Sequence, residues 1–157
     1  LTGELYFAAD KDAGVWMGDT TVTGNWPTRP LSCTDETIRK TILVVDDHAV
    51  LRYAIVEFLL RHPSIQIVGQ ARDGMEAVRM AGELKPDVVI MDVHLPGLNG
   101  IDATRAIKSD LPSIEVIALS MYDDPVYMEC MLNAGAACYV NKDEITTTLL
   151  DKVMGGA

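Results

Sequence analysis

From Thr41 onward, short runs rich in Val, Ile and Leu alternate with stretches of helical length whose apolar residues recur every three to four positions. Strands that carry no alternating polar face must be covered on both sides, and helices placed between successive strands supply that cover. The runs predict strands over 41–46, 65–71, 87–92, 115–120 and 137–140. Leu51, Ile55, Phe58 and Leu59 mark the inward face of a first helix, and Ala77, Val78, Ala81 and Leu84 that of a second. Asp73 followed by Glu76 predicts a capping box that opens the second helix, which Lys85-Pro86 stops. A third helix is expected from about 100 to 110, before Pro112. Asp124-Pro125 supplies an N-cap and a first-turn proline to a fourth, which Gly135 ends. Asp143 is expected to cap a fifth helix carrying Ile145, Leu149, Leu150 and Val153 inward. Right-handed crossovers with helices on both faces then predict an α/β fold, a doubly wound, five-stranded parallel sheet.

Residues 1–39 have another character: Gly, Thr, Asp, scattered aromatics, Trp26-Pro27 and Arg29-Pro30, with no sustained period. They read as an N-terminal extension or linker, and 40–157 as the folded domain. The chain begins at Leu1 rather than Met, which leaves open whether it is a fragment. A formal net charge of −10 argues against contact with phosphate backbones or anionic membranes and favours a cation or a basic partner. Cys33, Cys130 and Cys138 show neither CxxC nor metal-ligand spacing, so reduced thiols in a cytoplasmic protein are expected. No apolar run approaches the roughly 18–20 residues of a membrane span. Met121, Met128, Met131 and Met154 are expected to pack.

"KTILVVDDHAV" runs an apolar strand into two adjacent carboxylates, Asp46 and Asp47, and "VVIMDVHLPGLNG" places Asp92 at the end of the third strand. If the order is 2-1-3-4-5, those strand ends are neighbours at the point where the strand order reverses, the place where such sheets bind ligands. Three converging carboxylates repel one another unless a cation neutralises them, and a hard divalent ion with oxygen ligands, Mg²⁺, meets that need. Ser120 ends the fourth strand and Lys142 follows the fifth. A metal, an acceptor carboxylate, a hydroxyl and an ammonium around one cavity describe a phosphoryl-transfer centre with Asp92 as nucleophile.

At these residues the sequence resembles the receiver domain of two-component response regulators, from about Arg39 to Gly155. "LSMYDDPVY" and "AGAACYVNKDE" are most similar to the NarL/FixJ class, whose members usually carry a C-terminal helix-turn-helix output domain. The resemblance implies a flavodoxin-like receiver fold in which Asp92 accepts a phosphoryl group from the phosphohistidine of a sensor histidine kinase or phosphotransfer protein. It implies that Asp46, Asp47, Asp92 and the backbone carbonyl of His94 hold Mg²⁺, that Lys142 contacts the phosphoryl oxygens, and that Ser120 and Tyr139 are switch residues. In the unmodified protein Ser120 is expected to face away and Tyr139 to sample solvent. The implied function is control of an output, transcription, by a phosphorylation-dependent homodimer that touches DNA only through the output domain, which is not within these residues. The domain is not expected to act as an enzyme on a separate substrate, although it catalyses its own phosphorylation and dephosphorylation. Cys138 stands where Gly is expected, Asn141 precedes the lysine, and Asp143 replaces a proline common after it, which makes a cis Lys142–Asp143 peptide costly.

Each residue also has a plainer reading. Adjacent acids after a strand are commonly solvated turn residues, a lone Ser or Lys at a strand end means little, His94 reads as a loop residue supplying only its backbone, and Tyr139 fits a core aromatic. Joint placement at four strand ends favours the site. "TVTGNW" resembles a flavodoxin phosphate loop, but Pro27 and Pro30 follow where a helix must open. A haloacid-dehalogenase-type phosphatase needs Asp-x-Asp on its first strand, which Asp46-Asp47-His48 lacks. Asp92 and Lys142 disfavour a receiver used only as a binding module.

Overall fold

The computed structural model describes residues 39–155. The extension read from 1–39 lies, Arg39 apart, outside them, as does Cys33. Five parallel strands, β1 (Lys40–Val45), β2 (Ile65–Ala71), β3 (Val88–Asp92), β4 (Glu115–Ser120) and β5 (Cys138–Asn141), form one sheet in the order β2-β1-β3-β4-β5. Between them run α1 (Ala49–Leu60), α2 (Gly74–Leu84), α3 (Gly100–Asp110) and α4 (Pro125–Asn133). Strand ends shift from the expected bounds by a residue at most.

Alternate residues of the central strands face opposite sides of the sheet, as the pleat requires. Leu43, Val45, Val89, Met91, Val116 and Ala118 pack under α2, α3 and α4, against Ala77, Ala81, Ala103, Ile107 and Met131. Ile42, Val44, Val88, Ile90, Ile117 and Leu119 face the other way, against Ile55, Val56 and Leu59 of α1 and Ile145, Leu149 and Val153 near the chain's end. Leu51 and Phe58 are partly buried there. Leu84 departs from expectation in part, being 40% exposed in the last turn of α2. Among the methionines read as packing residues, Met131 is buried, whereas Met121, Met128 and Met154 are exposed. Cys130 and Cys138 are free thiols.

The caps follow local chemistry. The Asp73 side chain accepts from the Glu76 amide at 2.8 Å, while Glu76 reaches back to the Arg72 amide at 3.0 Å, one residue beyond the cap. Asp124 caps α4 through the Val126 amide at 2.9 Å, with Pro125 in the first turn. The last helical segment differs from the expected capped α-helix. It opens as a 3₁₀ turn (Lys142–Glu144), widens into a π turn (Ile145–Leu149) and closes as α5 (Leu150–Val153). Asn141, not Asp143, is its cap, accepting from the Asp143 amide at 2.9 Å. The wide turn keeps Ile145, Leu149 and Val153 on the buried face although Lys142 must point into the sheet's rim. No cis peptide occurs among the described residues, so Lys142–Asp143 is trans.

At the opposite end of the sheet, Asp87 Oδ2 accepts from the Thr41 amide and hydroxyl, both at 2.7 Å, fastening β3 to β1. The amide bond first, then the hydroxyl, holds this carboxyl below the ordinary carboxylate range. A depressed folded-state pKa gives stability that is present above the unfolded value and lost as pH falls through the folded value. Asp87→Asn is therefore expected to lower stability at neutral pH by at most about 1 kcal/mol, because solvent screens the exposed group. Thermal melts should show the gap to wild type closing in acid. A gap that persists unchanged there would assign the loss to something other than the carboxylate's charge.

Candidate functional site

The register of the sheet builds the site. Val45 pairs with Met91, so Asp46 and Asp92 emerge side by side from β1 and β3. Asp92 pairs with Leu119, and Ser120 pairs with Asn141, which brings Ser120 and Lys142 to the same rim. Lys142 Nζ lies 2.8 Å from Asp46 Oδ2 and 2.8 Å from Asp92 Oδ2, with all three side chains nearly closed to solvent. The second oxygen of each acid is held locally: Asp46 Oδ1 accepts from the His48 amide at 2.8 Å, and Asp92 Oδ1 from the His94 amide at 3.1 Å. Asp47 is more open and meets His48 Nδ1 at 2.9 Å.

Burial pushes the Asp92 carboxyl above the ordinary carboxylate range, against the hydrogen bond and charge of Lys142 and the His94 amide, with the charge of Asp46 adding to the rise. Burial pulls Lys142 down, but its hydrogen bonds to Asp46 and Asp92 and their charges outweigh that, and its pKa ends raised. One ammonium thus serves two buried carboxylates, a centre still short of positive charge. A hard cation fits this shortage. Asp46, Asp47 and His48 offer ligand atoms within 4.8 Å of one another, and buried Asp46 Oδ2 has no partner besides the Lys142 ammonium. The donor set is dominated by carboxylate oxygen, as Mg²⁺ prefers.

A cavity of about 740 Å³ opens over these groups, lined by Asp47, His48, Asp92, His94, Tyr122 and Lys142 among others. His94, read from sequence as supplying only its backbone carbonyl, also packs its ring edge-on against Tyr127 and Tyr122, with centroids 4.7 Å and 6.0 Å away. Ser120 is fully buried, and its hydroxyl accepts from the Tyr122 amide at 3.2 Å. Tyr139 differs from the solvent-sampling side chain expected: its ring packs partly buried against the core beneath α3 and α4, and its hydroxyl donates to the Tyr122 carbonyl at 2.5 Å. That carbonyl, in the loop after β4, gives the phenol an acceptor that competes with water. Ser120 and Tyr139 therefore meet on the backbone of one residue, Tyr122, which sequence spacing did not single out. Arg52 was also missed; its guanidinium donates to the Asp46 carbonyl at 2.6 Å. Its signal was position, since side chains in a helix's first turns lean back toward the preceding strand end.

The loop carrying His94 is held by a close approach. A Cβ on Gly100 would stand 2.0 Å from the Asp92 carbonyl oxygen, and the Gly100 amide donates to Val93 O at 3.1 Å. Gly100→Ala is expected to destabilise the domain by about 1–3 kcal/mol. Equal melting points in variant and wild type would contradict this.

A doubly wound sheet with clustered acids and a lysine at its switch point is the architecture of a flavodoxin-like receiver. The family model of the response regulator receiver domain matches residues 42–154, and the chain belongs to this family. It is 44% identical over 101 residues to the response regulator GacA of Pseudomonas viridiflava, covering 64% of this chain and 47% of that protein. It is 38% identical over 114 residues to the transcriptional regulatory protein LiaR of Bacillus subtilis, covering 71% and 53%. The response regulator domain of Thermotoga maritima CheB superposes with a TM-score of 0.70 at 32% identity, covering 75% of this chain and 96% of that one. Similar structures include NarL and LuxR-family receivers. Phosphorylation and Mg²⁺ binding are general features of this domain. The chain spans about half the length of the curated relatives it matches.

Proposed function

We propose that this receiver accepts a phosphoryl group on Asp92 from the phosphohistidine of a sensor histidine kinase or a phosphotransfer protein. The observation that carries the reading is the Lys142 ammonium shared at 2.8 Å between Asp92 and Asp46 beside an open cavity. Asp92 Oδ2 forms the new bond to phosphorus as the phosphorus–nitrogen bond of the donor breaks. Lys142, already at the acceptor oxygen, neutralises charge on the transferring group. Asp46, Asp47 and Asp92, with the His94 carbonyl, would hold Mg²⁺, which supplies charge neutralisation and orients the phosphoryl oxygens. Loss of the phosphoryl group to water uses the same residues, and no separate turnover substrate is involved.

Ser120 and Tyr139 are proposed as the switch. The Ser120 hydroxyl, which accepts from the Tyr122 amide at 3.2 Å, would turn to donate its proton to a phosphoryl oxygen and carry that amide with it, and Tyr139 registers the change through the Tyr122 carbonyl. A ligand shifts such an equilibrium only by its differential affinity for the two states. The surface of α4 and β5 would then favour a homodimer, acting in the cytoplasm on transcription through a DNA-binding segment beyond these residues. No helix among the described residues is long and apolar enough to cross a membrane.

Incubation with acetyl phosphate, with and without EDTA, tests the reading. Incorporation should require Mg²⁺ and should be base-labile, as expected of an acyl phosphate. Equal incorporation in EDTA would overturn it.

A further inference from the structure

Asp46 is the most constrained residue of the site: its amide donates to Ala71 O at 3.1 Å, Oδ1 accepts from the His48 amide, and Oδ2 faces Lys142. Its carbonyl oxygen is the remaining polar atom, and Arg52 Nη1 donates to it at 2.6 Å. That carbonyl belongs to the peptide linking Asp46 to Asp47, so the guanidinium fixes the plane that sets where both carboxylates point. Asp47 depends on this most, because its own side chain is held only by the exposed His48 ring.

Arg52 is not there for its helix. It lies in the opening turns of α1, where the N-terminal end of the macrodipole disfavours a cation, and α1 has neither a side-chain N-cap nor an acid in its first turn. No carboxylate lies within ion-pair distance of Arg52 among the described residues, so it is not satisfying a salt bridge either. What the position offers is a rigid, directional donor to the Asp46 carbonyl, and the proposed effect comes from that bond, since its charge alone would repel a cation.

We propose that Arg52 is a positioning residue for the cation site: it orients the Asp46–Asp47 peptide and thereby sets the affinity of the acidic pair for Mg²⁺. The proposal rests on the reading of Asp46 and Asp47 as metal ligands. Outer partners that orient ligands typically change metal affinity about 10–100-fold when removed. The test uses the full chain as wild type, Arg52→Gln and Arg52→Lys. Two quantities are read against Mg²⁺ concentration: the rise in melting temperature, which needs no phosphoryl chemistry, and the rate of phosphorylation by acetyl phosphate. For Arg52→Gln the half-saturating Mg²⁺ should rise about tenfold by both readouts. Its rate at saturating Mg²⁺ should stay within about threefold of wild type, with Arg52→Lys falling between. A general loss of structure would instead lower the saturated rate and leave the half-saturation point unmoved, which overturns the proposal. Unchanged half-saturation in Arg52→Gln overturns it too. Should Arg52→Gln not fold, Arg52→Lys decides: half-saturation equal to wild type overturns the proposal, and a rise supports it. If wild type melts higher with Mg²⁺ yet takes no phosphoryl group, the phosphoacceptor reading fails while the melting series still judges Arg52. If wild type shows no Mg²⁺ response, the proposal falls with the ligand assignment.

Discussion

Asp92→Asn is expected to take up no phosphoryl group from acetyl phosphate and, at neutral pH without Mg²⁺, to melt at least as high as wild type. The chemical half follows because the amide has no anionic oxygen to attack phosphorus. The stability half follows from burial, which raises the Asp92 pKa in the folded state above its unfolded value despite Lys142. A raised carboxyl pKa means that the folded state binds the proton more tightly, so stability falls as pH rises through the window between the two values. Asparagine carries no such cost. It also leaves Lys142 paired with Asp46 at 2.8 Å, so no charge is stranded. The advantage of Asp92→Asn should shrink as pH drops below the ordinary carboxylate range, where wild type is protonated as well. Melts in EDTA across that range check the sign. A variant that melts far below wild type at neutral pH would mean that the Asp92–Lys142 pair stabilises the fold outright.

Lys142→Ala should behave in the opposite way. Removing the ammonium leaves Asp46 and Asp92 buried side by side with no cation, and breaking a buried pair by deleting one partner costs about 3–5 kcal/mol. Because a divalent ion can replace part of that charge, Mg²⁺ should stabilise Lys142→Ala more than it stabilises wild type. Phosphorylation should still fall on Asp92 but about 10²-fold more slowly, the usual loss when one charge-stabilising donor is removed. Denaturant titrations with and without Mg²⁺, together with phosphorylation rates, separate these effects. A Lys142→Ala protein as stable as wild type in EDTA would show that the two acids are not held as a charged pair.

What the sequence made legible was whatever rests on short-range pattern. The βα alternation, the Asp73–Glu76 and Asp124-Pro125 starts and the Lys85-Pro86 stop are local, and all appear in the fold. The convergence of Asp46, Asp92 and Lys142 was also legible, because a 2-1-3-4-5 sheet forces those strand ends together once the strands are placed. What the sequence hid depends on tertiary competition. Asp143 looked like a cap, but Lys142 had to reach two acids, and the helix begins earlier through Asn141 with a 3₁₀ and then a π turn. The switch role that the resemblance implies put Tyr139 in solvent, whereas its plainer reading as a core aromatic fits the ring; the Tyr122 carbonyl that holds its hydroxyl is seventeen residues away in the chain. Arg52 acts through the backbone carbonyl of Asp46 and Tyr122 through its own amide and carbonyl, and periodicity carries no trace of such bonds.

The central claim, that Asp92 is the phosphoacceptor, is tested most directly by reductive trapping. The full chain is phosphorylated by acetyl phosphate with Mg²⁺, treated with borohydride and digested, and the reduced residue is located by mass spectrometry. The account predicts a single reduced site, Asp92, absent without Mg²⁺ and absent in Asp92→Asn. Reduction at Asp46 or Asp47, or stable phosphate on Ser120 in its place, would contradict it.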